Sequence, residues 1–374
     1  MQILIIVISS ILTHQNLNFG DAGSAIVMKI CFLLILLVGQ LAPPNKETPL
    51  KGVDVFGTKQ ITAGQVQQKF GDDIKSLVRA LSAHDDQKFA DLYSKITAGI
   101  KTMGNFATVS ISPVTYFDKG KYCYVTIDIV DEKDRQRRMT FLPAPGGHFK
   151  DPEGLLATWR EYEETGFALI DKGELKADRI RCSAFHCVWG FEHPSLRKYE
   201  EVFKTSVPKN KEILKAILRG DDQETHRADA AFLLAHISDP QELIEAILPS
   251  IKDSSAIVRN NVMRVLAQVA EETRDVAIPI RPLLQALDFP ATTDRNKSLA
   301  TIDGLALRPE NKTILIRDAG PKLIEILKLL QPNNHDYAYS ILKKITGRDF
   351  GERSYDAWHR WLQSETKKRS PRSH

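Results

Sequence analysis

The stretch Asp253-Ser254-Ser255-Ala256-Ile257-Val258-Arg259-Asn260-Asn261-Val262-Met263-Arg264-Val265-Leu266-Ala267-Gln268-Val269 sets the reading of the C-terminal half. Its apolar residues return at helical spacing. Aligned on Arg259, the pattern recurs from Arg227 to Ile237 and from Arg295 to Leu305. A degenerate copy starts at His335 and keeps Ala338, Leu342 and Ile345. Apolar or small residues fall at the third, seventh and tenth positions after each Arg, and the copies lie 32, 36 and 40 residues apart. A period of that size marks a unit that buries its apolar face only by stacking on its neighbours.

Each copy is preceded by a second amphipathic segment. Ile213, Leu214, Ile217 and Leu218 stand before the first, and Leu243, Ile244, Ile247, Leu248 and Ile251 before the second. Ile280, Leu283, Leu284 and Leu287 precede the third, and Leu323, Ile324, Ile326, Leu327 and Leu330 the fourth. The spacing therefore predicts helix pairs of roughly 35 to 40 residues over 208–364. Asp221, Asp222, Asp253 and Asp288 stand in the turns ahead of the Arg helices, placed to cap them and face the arginines. Asp253 to Arg259, followed by Leu266, closely resembles a HEAT repeat, and the other copies resemble it more weakly. The resemblance implies an armadillo-like α-solenoid in which Arg227, Arg259 and Arg295 are ladder residues tying one repeat to the next. It also implies a binding surface on the second helices, with Asn260, Asn261, Arg264 and Asn296 as candidate contacts. The segment from Asp349 to Leu362 resembles a capping helix, Trp358 and Trp361 covering the last repeat.

Residues 139–207 read as a connector. Leu142-Pro143-Ala144-Pro145-Gly146-Gly147-His148 has two Pro and a Gly pair that break regular structure. Asp151-Pro152-Glu153 starts a helix carrying Leu155, Leu156, Trp159 and Tyr162, with Gly166 read as its end. Two thiols then lie close together in Cys182-Ser183-Ala184-Phe185-His186-Cys187, followed by His193. Three readings stay open. Cys182 and Cys187 can close a disulfide; with His186 and His193 they make the donor set of a tetrahedral zinc; or a Cys nucleophile works with a His base.

Residues 50–138 give the order strand, helix, helix, strand, strand. In the last strand Cys123, Val125, Ile127 and Ile129 alternate with Tyr122, Tyr124, Thr126 and Asp128, the pattern of a half-buried strand. Cys123 reads as a small buried hydrophobe. The element order, with Val55-Phe56-Gly57, Met103 to Val109 and Tyr124 to Val130, resembles the POTRA modules of outer-membrane assembly and secretion proteins. That resemblance implies docking of extended chains along a sheet edge.

Residues 1–42 read as a leader: Met28 and Lys29 open a run, Ile30 to Gly39, of signal-peptide length, so Met28 is read as the start and 28–42 as the signal. The chain of 374 residues carries a formal net charge of +4. Lys367, Lys368, Arg369 and Arg372 in the tail at 365–374 account for that excess, which leaves a neutral body and no basic face for nucleic acid. No phosphate loop, HExxH or GxSxG motif is present, and no cofactor is expected. The sequence thus predicts a multidomain chain, an N-terminal α+β module followed by an all-α solenoid. The expected role is that of an exported, non-enzymatic protein-binding scaffold in the periplasm or envelope of a bacterium. Protein partners are expected, and membrane contact only through the leader or the basic tail. One alternative is an accessory factor of envelope protein assembly or secretion. The other is a hydrolase, or a lyase or isomerase, using Cys182 to His193.

Overall fold

The computed structural model describes the backbone of residues 48–117, 120–175 and 182–369, with side chains to 365. The leader, the Met28 start and residues 370–374 of the tail lie outside these residues. The described residues are mostly helical, with one small three-stranded sheet among them. Among the described residues no helix is long and apolar enough to cross a membrane.

Strand β1 (Leu50–Phe56) is followed by helices α1 (Ala63–Ser82) and α2 (Asp86–Lys101), then by β2 (Phe106–Tyr116) and β3 (Tyr122–Asp131). Thr62 and Gln65 form a reciprocal capping box that starts α1, and Asp85 caps α2. The sheet order is β1-β3-β2, with β1 parallel and β2 antiparallel to β3. Val66, Phe70, Ile74, Leu77, Ile96 and Ile100 pack with Cys123, Val125, Ile127 and Ile129 into one core.

The half-buried strand expected at β3 is instead buried on both faces from Val125 to Asp131. The polar half of its alternation, Thr126 and Asp128, faces the C-terminal helices in place of water. The short helix α3 (Arg135–Arg138) ends at the second contact with those helices. The Arg138 guanidinium donates to the carbonyls of Gly57 (2.9 Å) and Ile129 (2.6 Å) on the sheet side and of Asp288 (2.7 Å) on the other. Gly57 has φ +89°, and a Cβ there would fall 2.3 Å from the Ile129 oxygen, so only glycine lets the guanidinium approach.

Helix α4 (Leu155–Asp171) does not stop at Gly166. That glycine is buried under Trp189, where a Cβ would lie 2.0 Å from the indole, so it serves close packing rather than termination. Asp151 caps the helix, accepting from the amides of Leu156 (2.9 Å) and Ala157 (3.0 Å). Helix α5 (Pro194–Gly220) runs through Pro208, so the boundary drawn at 207/208 falls inside one helix. Leu155, Trp159, Tyr162, Trp189 and Phe203 belong to the same apolar core as Leu233, Leu266 and Leu299. The segment read as a connector is thus packed into the helical body.

The remaining helices are α6 (Glu224–Leu234), α7 (Pro240–Ile247), α8 (Ala256–Glu272), α9 (Ile280–Ala286) and α10 (Thr292–Leu305). After them come α11 (Pro309–Ile314), α12 (Gly320–Leu327), α13 (Pro332–Thr346) and α14 (Tyr355–Arg369). The second helices of the pairs stack in order, α6 on α8, α8 on α10 and α10 on α13. Trp358 of α14 is fully buried and Trp361 partly buried at the end of the stack.

The arginines join successive pairs. Arg227 holds Asp253 through two hydrogen bonds (2.9 and 2.8 Å), and Arg259 holds Asp294 in the same way (3.0 and 2.8 Å). Each also donates to carbonyls in the turn before its own helix. Asp253 therefore faces a repeat arginine as its position suggested, but Asp288 does not: Asp294 takes the second place, and Asp288 pairs with Arg137 of α3 and with Lys322 instead.

The third arginine breaks the series. Asn334 stands at the position that Asp294 holds in the preceding copy, so Arg295 reaches an amide at 2.9 Å and takes its counter-charge from Asp128 of β3 at 2.6 Å. Thr292 also donates to Asp128, and the Arg295 guanidinium lies over the Phe56 ring at 4.0 Å. Asp54 of β1 accepts from the amides of Leu330 and Gln331 (2.9 and 3.0 Å), supplying the N-terminal acceptor of α13 from 276 residues away. The sheet is tied to the helical stack by buried charge.

Candidate functional site

Arg264, Ala267, Gln268 and Glu271 follow i, i+3, i+4, i+7 spacing along α8, and Lys297, Ala300 and Gly304 follow i, i+3, i+7 along α10. Spacing of that kind puts each set on one helix face. With Tyr337 and Lys344 of α13, Asp303 and His186, these faces line a cleft of about 380 Å³.

The wall carrying His186 is set by the disulfide. Cys182 and Cys187 are bonded to each other, with Cα atoms 5.6 Å apart. The Phe185 amide donates to the Ala235 carbonyl at 3.0 Å, pinning the small loop to the end of α6. His186 then stacks on Phe232, ring centroids 4.9 Å apart, with its buried Nε2 unbonded among the described residues. The four-donor zinc set is not assembled. Its sulfurs are joined to one another, and the His193 Nδ1 accepts from the Ser195 amide at the start of α5. The same engagement separates the Cys and His proposed as nucleophile and base.

Among the surface candidates only Arg264 opens onto the cleft. Asn261 is buried and donates to the Ala228 carbonyl (3.1 Å), Asn260 donates to Asn261 (3.1 Å), and Asn296 is buried with Gln331 (3.4 Å). Asn261 and Asn296 join neighbouring elements and Asn260 braces Asn261 on the same helix, so none of the three lines the cleft. The helix face expected to line the concave side is buried, Asn261 against the preceding pair and Asn296 against the following one.

The cleft's electrostatics are unbalanced. Arg264 is only 9% exposed, yet among the described residues it makes no hydrogen bond or ion pair, and its guanidinium lies over the Phe232 ring at 5.3 Å. Lys297, half-buried beside it, has no such partner either. Burial, opposed by the field of Glu163, holds Arg264 down to about 10. Burial and then repulsion from Arg264 push the Lys297 amine well below its ordinary value. Burial, then Arg264 and Lys297, do the same to His186. Glu163 does not cancel this charge. Burial and then Asp229 raise its carboxyl to about 8, leaving it mostly protonated at neutral pH.

On the far side, Lys344 pairs with Asp303 at 2.8 Å, while the other carboxylate oxygen, Oδ1, is buried with no hydrogen bond among the described residues. Among the described residues the cleft therefore offers unneutralised donors, Arg264 and Lys297, beside the buried free oxygen of Asp303 and the exposed carboxylate of Glu271. Among the described residues no group of three or more His, Cys, Asp or Glu is arranged to hold a metal ion.

Lys297, Lys344 and Asp303 were not read as site residues, although a signal was there. Arg264 and Lys297 break the repeat: Phe232 and Ala300 occupy the position of Arg264 in the sister copies, and Asp229 and Asn261 that of Lys297. Comparison with family models, with curated proteins and with solved structures gives no match, so the cleft's own chemistry carries the functional reading.

Proposed function

We propose that this chain is a non-enzymatic binding scaffold: HEAT-like helix pairs, with a POTRA-like α+β unit fixed against them, present the cleft of α8, α10 and α13 to a protein partner. The observation that carries this reading is Arg264, a nine-tenths buried guanidinium facing the cleft without an ion pair among the described residues. A charge held that way opposes folding, and such a cost is retained where a ligand supplies the missing partner. The Arg–Asp ties between successive pairs support the HEAT-like reading, and the strand-helix-helix-strand-strand order supports the POTRA-like one. A disulfide next to the cleft favours an oxidising compartment, hence export. The experiment is affinity capture from cross-linked cells with the native chain and with Ala267→Trp, which fills the cleft from its α8 wall. The reading expects a partner captured by the native chain and lost with Ala267→Trp, from an envelope fraction. A partner set identical for both chains refutes it.

A further inference from the structure

We infer that the cleft is an oxyanion site: Arg264, Lys297 and His186 close on one phosphate or carboxylate group, and the free oxygen of Asp303 receives a hydrogen-bond donor carried by the same ligand. This deepens the binding reading and rests on it for the cleft being the occupied face.

Three features argue for it. Charge comes first: Arg264 and Lys297 approach from adjacent helices, neither is neutralised by a described residue, and Arg264 is held on an aromatic face that leaves its donors toward the cleft. A guanidinium with unused N–H groups beside a lysine amine, whose charged form a bound anion favours, matches the oxygens of a phosphate or carboxylate.

The second feature is the histidine. His186 Nε2 is buried, unbonded and on the cleft wall. The ring is fixed by stacking on Phe232 and by its position next to Cys187. A disulfide adjacent to an orphaned ring nitrogen holds that nitrogen where an anion would meet it.

The third is the acceptor. Asp303 spends one oxygen on Lys344 and leaves Oδ1 buried without a hydrogen bond among the described residues. A bare anion gives that oxygen nothing, whereas a ligand with a hydroxyl or an N–H beside its anionic group satisfies both ends. Hydrogen phosphate, a hydroxylated phosphate ester, or an acidic peptide end with its amide N–H all have this form. A cleft of about 380 Å³ accommodates such a group with room to spare.

The test is isothermal titration of the full chain at pH 7 with inorganic phosphate, with sulfate, which has no donor at that pH, and with N-acetylglutamate. The inference expects saturable binding of phosphate or N-acetylglutamate, with sulfate at least threefold weaker than phosphate. Arg264→Met and Lys297→Met, each confirmed as folded by its melting curve, should weaken binding at least tenfold. Asp303→Asn is expected to narrow the gap between phosphate and sulfate. Whichever of phosphate and N-acetylglutamate binds more tightly separates a free phosphate source from a peptide acid. Absence of saturable binding of all three probes, or binding that both Met variants leave unchanged, overturns the inference. If binding is absent while Ala267→Trp still abolishes partner capture, the oxyanion assignment fails and the scaffold reading survives. If Ala267→Trp leaves capture unchanged as well, both fall.

Discussion

Asp128 and Arg295 are fully buried, and each depends on the other for its charge. Removing one member of such a pair strands its partner, at about 3–5 kcal/mol. Asp128→Asn is therefore expected to lower the urea unfolding free energy by that amount, although Arg295 keeps its bond to Asn334. Arg264 should behave in the opposite sense. No described residue neutralises it, so Arg264→Met removes a desolvation penalty and raises the melting temperature of the ligand-free protein while it weakens binding. A third residue sets the acid side of the stability curve. Burial, ahead of any charge, depresses His236 to about 4, in a pocket between Phe203 and Phe191. Below the ordinary value of 6.5 the unfolded chain gains a proton that the folded chain refuses. Stability from this group is thus complete above that pH and falls as pH drops, by about 1.4 kcal/mol per unit and roughly 3 kcal/mol in all by pH 4. Glu163, raised to about 8, acts oppositely, its contribution falling as pH rises from 4.5. His236→Leu should flatten the acid limb, read as a smaller difference in unfolding free energy between pH 4.5 and 7.

At the scale of elements, the loop closed by Cys182 and Cys187 has few residues, and the chain-entropy relation gives its closure about 2 kcal/mol. Cys182→Ser with Cys187→Ser is expected to lose about that much in denaturant titrations and to loosen the His186 wall. Helix pairing was legible in the sequence because apolar spacing is local. Arg227, Arg259 and Arg295 stand at one place in three of the copies, and the expectation that they tie one pair to the next came from the resemblance to HEAT repeats. What escaped the reading was the identity of the covering surface. Alternation at β3 separates Thr126 and Asp128 from the apolar face, but it cannot tell water from a second layer of protein. Gly166 failed for the same reason: a helix stop and a glycine that admits Trp189 carry one letter. The cleft needed His186, Arg264, Lys297 and Lys344 brought together from four separate elements. No local pattern reports that meeting. Only the break in the repeat at Arg264 and Lys297 hinted at it.

At the scale of the molecule, the α+β unit and the helical stack share buried charge at Asp54, Asp128 and Arg138, so they should unfold together. The sequence carries four tryptophans, Trp159, Trp189, Trp358 and Trp361, none of them in the sheet unit, so tryptophan emission reports the helices alone. Asp54→Ala, a change within β1, is expected to lower the urea midpoint seen by tryptophan fluorescence, reflecting an unfolding free energy smaller by about 1–3 kcal/mol for the amides of Leu330 and Gln331 left without their acceptor. A fluorescence midpoint that stays fixed while the far-ultraviolet signal splits into two steps would show independent units. The same bond sets a clock on synthesis. Asp54 emerges early and waits for partners 276 residues downstream, which at 5–20 residues per second is a delay of roughly 14–55 s. Until then the polar side of the sheet stays wet and the first strand holds no seat on the helices. The nascent chain is complete as a fold only when its last repeats arrive to close on its beginning.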